Sequence, residues 1–81
     1  MELKDTAVMM QSEDYKERFR AEYWQAKIRT TRLHAMTVAY EAGKLEFKPN
    51  CPLGLLREQE AHMMGYLRTL EVRAQIENIE L

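Results

Sequence analysis

Cysteine occurs once, at Cys51, so no disulfide can close within the chain. Glu2, Lys4 and Asp5 interrupt any apolar core of a secretory leader, and the expected compartment is a reducing cytoplasm. No stretch approaches the ~18 consecutive apolar residues of a membrane span. Charge of one sign is also missing: 12 Lys and Arg stand against 13 Asp and Glu, a net charge of -1. No global basic field therefore draws nucleic acid or an anionic membrane. Glycine and proline are scarce, and both prolines, Pro49 and Pro52, fall in one short window. Helix breakers are confined to one place.

Chemistry-bearing patterns are equally thin. The two histidines, His34 and His62, belong to different segments, with no HExxH pair and no CxxC. The Glu-x-x-His arrangement of carboxylate-bridged bundles is missed by one position, since Ala61 follows Glu58 at that spacing and His62 comes next. No phosphate loop, GxSxG elbow or recognisable catalytic carboxylate pair occurs. Cys51 precedes Pro52 at a helix start, where capping and packing explain it better than nucleophilic catalysis. The reading is no enzyme, no metal and no cofactor.

What remains is 46% hydrophobic and 31% charged, the mixture of a folded, helix-rich chain. At 81 residues it is one domain near the lower size limit for a self-sufficient core. Tyr15 to Ala42 runs without Gly or Pro and spells a helical rod of about 42 Å. One stripe joins Phe19, Tyr23, Ala26, Thr30, Leu33, Thr37 and Tyr40. A second, on the opposite side, joins Trp24, Ile28, Thr31, Ala35, Val38 and Ala42. A helix with two apolar stripes needs two partner surfaces.

Ser12 or Asp14 is the expected N-cap, and Gly43 the left-handed residue that ends the helix. In the connection, Leu45 and Phe47 alternate with charges and are expected to tuck inward, stiffened by the prolines. Pro52 suits the first turn of a second helix, with Asn50 or Cys51 near its cap. That helix carries Leu53, Leu56, Met63, Met64, Leu67, Leu70 and Ala74 as its main stripe, with Val72, Ile76 and Ile79 on a flank. Glu60 interrupts the stripe, and mid-helix Gly65 costs on the order of 1 kcal/mol, tolerable where another helix or a ligand comes close.

The fold class is all-α: an antiparallel two-helix hairpin, about 13–43 and 52–79, forming a domain over 13–81. Residues 1–12 make a short N-terminal arm or helix. A lone hairpin leaves Trp24, Ile28 and Val38 in water, so these residues with Ala35 are expected to join copies into a homo-oligomeric bundle. Lys16, Arg20, Lys27 and His34 form a cationic strip beside Tyr23 and Trp24, with Arg29 and Arg32 on the other side. Arg57, Arg68, Arg73, Gln59 and Tyr66 follow on the second helix. Cations beside aromatic rings suit a small anionic ligand carrying a base. Arg20, Lys27 and Arg73 are the candidates to neutralise phosphate, and Trp24 and Tyr66 to stack on the base. A solvated surface balanced by Glu17, Glu22 and Glu71 is the plainer reading of any one of these charges.

The segments DYKERFRAEYWQAKIRTTRLHAM (14–36), YEAGKLEFKPNCPLGLL (40–56) and YLRTLEVRAQIENIEL (66–81) carry a resemblance. They are similar to a family of small phage and prophage helical hairpins named for a gene of a crAss-like gut phage. The turn KPNCP and the run REQEAHMMGYLRTLEVR carry most of it. The resemblance implies a phage origin and an accessory role in the host cytoplasm. By analogy with small phage proteins that counter host defence, it points to sequestration of a small nucleotide-type immune signal at inter-subunit pockets. The alternative is a protein-interaction module that inhibits a host defence protein through an apolar helical face. A purely structural coiled coil is a third possibility.

Overall fold

The computed structural model describes all 81 residues and contains three helices and no strand: α1 (Leu3–Met10), α2 (Tyr15–Glu41) and α3 (Leu53–Ile76). Both α1 and α3 pack on α2 and not on each other, so α2 lies in the middle. The molecule measures 43 × 25 × 16 Å. This arrangement gives the inner stripe of α2 a neighbour in α3 and the first half of the outer stripe a neighbour in α1.

The hairpin core joins Phe19 and Tyr23 of α2 to Leu67, Leu70 and Ala74 of α3, closed by Ile79. Thr30 and Thr37 continue the α2 stripe, with the Thr30 hydroxyl donating to the Ala26 carbonyl. Farther toward the connection the contact becomes polar. Glu60, the interruption in the α3 stripe, accepts from the Thr37 hydroxyl at 2.7 Å and faces His34 Nδ1 at 2.6 Å. Arg57 pairs with Glu41 nearer the connection.

The arm is an ordered helix. Glu2 and Asp5 form a reciprocal capping box at its start. Its return onto α2 is fixed at Ser12, whose carbonyl accepts from Arg18 and whose hydroxyl reaches Glu17 and the Asp14 amide. Thr6 and Ala21 are both fully buried. Ala21 sits roughly 160° around α2 from Phe19, so α1 covers the outer stripe over the first half of that helix. Trp24, which packs against the edge of the hairpin core, and Ile28 are half-buried, not left in water, whereas Ala35 and Val38 stay exposed.

Asp14 is the N-cap of α2, accepting from the Lys16 amide at 3.0 Å. Gly43, at φ 70, ends the helix in a Schellman turn, with Lys44 N–H reaching the Ala39 carbonyl at 2.9 Å. Pro52 caps α3 from outside its first turn. Leu45 tucks in, but Phe47 is 60% exposed, because the connection bends around one anchor instead of two. Met64 is 55% exposed: it follows Met63 by about 100° and cannot share its inward face. Helix α3 stops at Ile76, short of the expected end near 79. Asn78 takes the left-handed conformation (φ 58), and Ile79 N–H bonds back to the Ala74 carbonyl at 2.8 Å. A hydrophobic residue after a left-handed one folds back onto the last turn, which is how Ile79 enters the core. No helix is long and apolar enough to cross a membrane.

Candidate functional site

The cationic strip of α2 runs along one flank of the hairpin. Its first members meet the segment that follows α3. Lys16 Nζ donates to the Asn78 carbonyl at 3.3 Å and Arg20 Nε to the Glu80 carbonyl at 2.6 Å. Arg20 keeps its two terminal nitrogens for other partners. Lys27 is exposed and makes no ion pair, and His34 is held by Glu60. Thr37, then His34, by hydrogen bonding, hold the Glu60 carboxyl below its ordinary value. Beside the strip, Trp24 meets Tyr23 edge-on, centroids 5.2 Å apart, and packs against the core. Burial, and then the Glu71 carboxylate that accepts from its hydroxyl at 2.7 Å, push Tyr23 up to about 12.

The opposite flank holds a groove of about 220 Å³ between α2 and α3, lined by Glu22, Gln25, Ala26, Arg29, Gln59, Met63 and Tyr66. It opens, through Gln59, Met63 and Tyr66, into a shallow depression of about 450 Å³ on α3. Arg29 is exposed with no ion-pair partner, and Tyr66 is 43% exposed, so a cation and an aromatic face are both available. Toward the chain ends on this flank, Arg73 lies 4.9 Å over the Phe19 ring. It donates to Glu77 at 3.2 Å and to the Tyr15 hydroxyl at 2.9 Å, while that hydroxyl donates to Glu77 at 2.7 Å. The hydrogen bond to Glu77 raises Tyr15, and the same contact holds Glu77 below the usual carboxylate range. Arg73 is thus a clasp between α2 and the end of α3.

Arg20, Trp24 and Lys27 therefore share one flank, while Tyr66 and Arg73 occupy the other. A single chain does not gather the five around one point. Met63, expected in the main stripe of the second helix, and Gln25, on the polar strip with Arg29, enter the groove although neither was a candidate ligand residue. Their signal was available: Gln25 stands one turn from Arg29, and Gln59, Met63 and Tyr66 recur at four and three. No three His, Cys, Asp or Glu side chains cluster as a metal site would require.

No curated protein and no solved structure matches the chain. A family model does, over residues 13–76, from the turn before α2 to the last residue of α3, and it carries the description Sequestin. With the whole hairpin inside that match, the chain belongs to the Sequestin family.

Proposed function

We infer that the protein is a phage or prophage accessory protein of the host cytoplasm that counters defence by binding a small nucleotide-type immune signal. It holds the signal without cleaving it, at pockets completed between copies of the chain. The observation that carries this reading is the family match over the entire hairpin, since the family's name denotes sequestration. The two flanks supply fitting chemistry. Arg20 and Lys27 offer positive charge next to Trp24, and Tyr66 offers an open ring beside Arg29 and two glutamines. Guanidinium and ammonium groups neutralise phosphate, aromatic faces stack on a base, and amides read its edge. Arg73 contributes its charge from the clasp, through the terminal nitrogen that Glu77 and Tyr15 leave free. Because these groups face two directions in one chain, a complete pocket requires a second copy.

The test is depletion of a defined pool of cyclic di- and trinucleotides and ADP-ribose derivatives by the purified protein, followed by heat release and chromatography. One compound should be depleted and then recovered intact. Arg20→Ala and Lys27→Ala should each weaken its binding by roughly 10- to 100-fold, the loss of a charge-assisted hydrogen bond of about 1.5–3 kcal/mol. Unchanged affinity in both variants would remove that flank from the site. Failure to deplete any compound would favour the protein-interaction reading, in which exposed Val38 and its neighbours cover a host defence protein.

A further inference from the structure

Two cavities of about 220 Å³ open between α2 and α3, one on each flank of the hairpin. They differ in what their charges do. Nearer the connection, His34 faces Glu60 and Arg57 pairs with Glu41, so every charge in that wall is answered within the chain. In the Tyr66 groove, Glu22 and Arg29 line the wall and neither side chain has an ion-pair partner. Glu22 is half-buried there. Glu22, Gln25 and Arg29 form one column of α2, three and four residues apart. The two charges stand about 10 Å apart along the helix axis. Both side chains lean toward the helix N-terminus, so that separation carries over into the groove and they do not neutralise each other. One trough thus has a donor-only guanidinium toward one end and an acceptor-only carboxylate toward the other. Met63 and the open ring of Tyr66 form its apolar side, with Gln59 beside them.

We propose that this groove reads the base of the sequestered signal and that Glu22 selects it. Arg29 takes a phosphate, the base lies against Tyr66 and Met63, and Glu22 accepts from an exocyclic amino group at the far edge of the base. This rests on the nucleotide reading above and narrows it to bases that carry an amino group. An ionised carboxylate accepts hydrogen bonds and donates none, so a base showing only acceptors at that edge is disfavoured. An aromatic amine is its natural partner, as when a carboxylate reads the cytosine amino group. The spacing of the two charges matches a nucleoside monophosphate from phosphorus to the outer edge of its base. A second phosphate at the Glu22 end would meet a like charge, so the groove admits one nucleotide unit in one orientation. Gln25 and Gln59 both donate and accept, and satisfy the remaining polar atoms of the base. The other flank has no such reader beside Trp24, since the Glu71 carboxylate already accepts from Tyr23.

The test compares nucleotides that differ by the amino group alone: AMP with purine riboside monophosphate, and GMP with IMP. Each is titrated into isotope-labelled protein and followed by NMR. In one pair the amino-bearing member should bind roughly 10-fold more tightly, the worth of one charge-assisted hydrogen bond. Which pair responds distinguishes an adenine from a guanine site. Glu22→Ala should bring that ratio to about one, whereas Arg29→Ala should weaken both members alike and keep it. A residue that only supports the fold would lower both affinities together. No binding by any of the four, no preference in either pair, or a preference that survives Glu22→Ala would each overturn the proposal. Depletion of the signal pool is read separately: a chain that depletes the pool but ignores Glu22 loses this groove assignment and keeps sequestration, and one that depletes nothing loses the wider reading.

Discussion

Thr37, buried in the α2 stripe, donates its hydroxyl to a carboxylate 23 residues away, one of three polar contacts that join this half of the hairpin. Replacing it by valine keeps the shape and leaves Glu60 short of a donor, at an expected cost of about 1–3 kcal/mol. The pH dependence follows from the direction of the shift. A carboxyl held below its ordinary 4.5 stabilises the fold above that pH, and the contribution is lost as pH falls through the folded value. Thermal melts of the wild type should therefore decline below about pH 4.5, and Thr37→Val should flatten that decline. Superimposable acid profiles would remove Glu60 from the account. At the other extreme Tyr23, raised to about 12, favours the fold up to its ordinary 10 and loses that contribution as pH rises toward 12. Phenolate absorbance should show Tyr15 and Tyr23 ionising late, and Tyr23→Phe should remove the later of the two. Glu60 was visible in the sequence as a break in a stripe. Its partners were not, because their distance along the chain is set by the length of the connection and carries no local signal.

At the scale of elements, the terminators decide where the apolar residues go. Asn78 at φ 58 does what Gly43 does at the end of α2, so Asn78→Gly should be neutral and Asn78→Ala should cost about 1 kcal/mol in chemical denaturation. Equal losses in both variants would mean that the left-handed turn is not what holds Ile79 inward. The sequence pattern reads on to 79 because Ile76 and Ile79 keep helical spacing; the same isoleucine serves equally as the next helical residue or as the hydrophobic residue behind a left-handed cap. Gly43 was legible because glycine has no second role there. The arm shows a related ambiguity. Its length and apolar content announce a short helix, but the burial of Thr6 against α2 depends on a turn fixed by Ser12 and Arg18. Removing residues 1–12 should lower the melting temperature while leaving the hairpin helical by circular dichroism. An unchanged melting temperature would show that α1 does not stabilise α2.

On the scale of the whole molecule, a hairpin with an arm buries only 10 of its 81 residues, a small core for an independent monomer. The need of α2 for two neighbours was legible from its two stripes, and α1 supplies the second over the first half of the helix. Which part of the second stripe remained free was not, because the docking of α1 depends on the turn at Ser12 and carries no periodic signal. The candidate ligand residues were legible by type and only partly by place: Tyr66 lines a groove and Lys27 stands free, whereas Arg73 is bound into a clasp and Trp24 into the core edge. Sequestration is the claim on which these features converge. Native mass spectrometry of the protein, alone and with pooled cyclic nucleotides and ADP-ribose derivatives, tests it most directly. The expected spectrum is an assembly that gains the mass of one intact compound in fixed ratio to its chains, with the same compound released on unfolding. An assembly that gains no mass from the pool, or that releases a cleaved product, would contradict it.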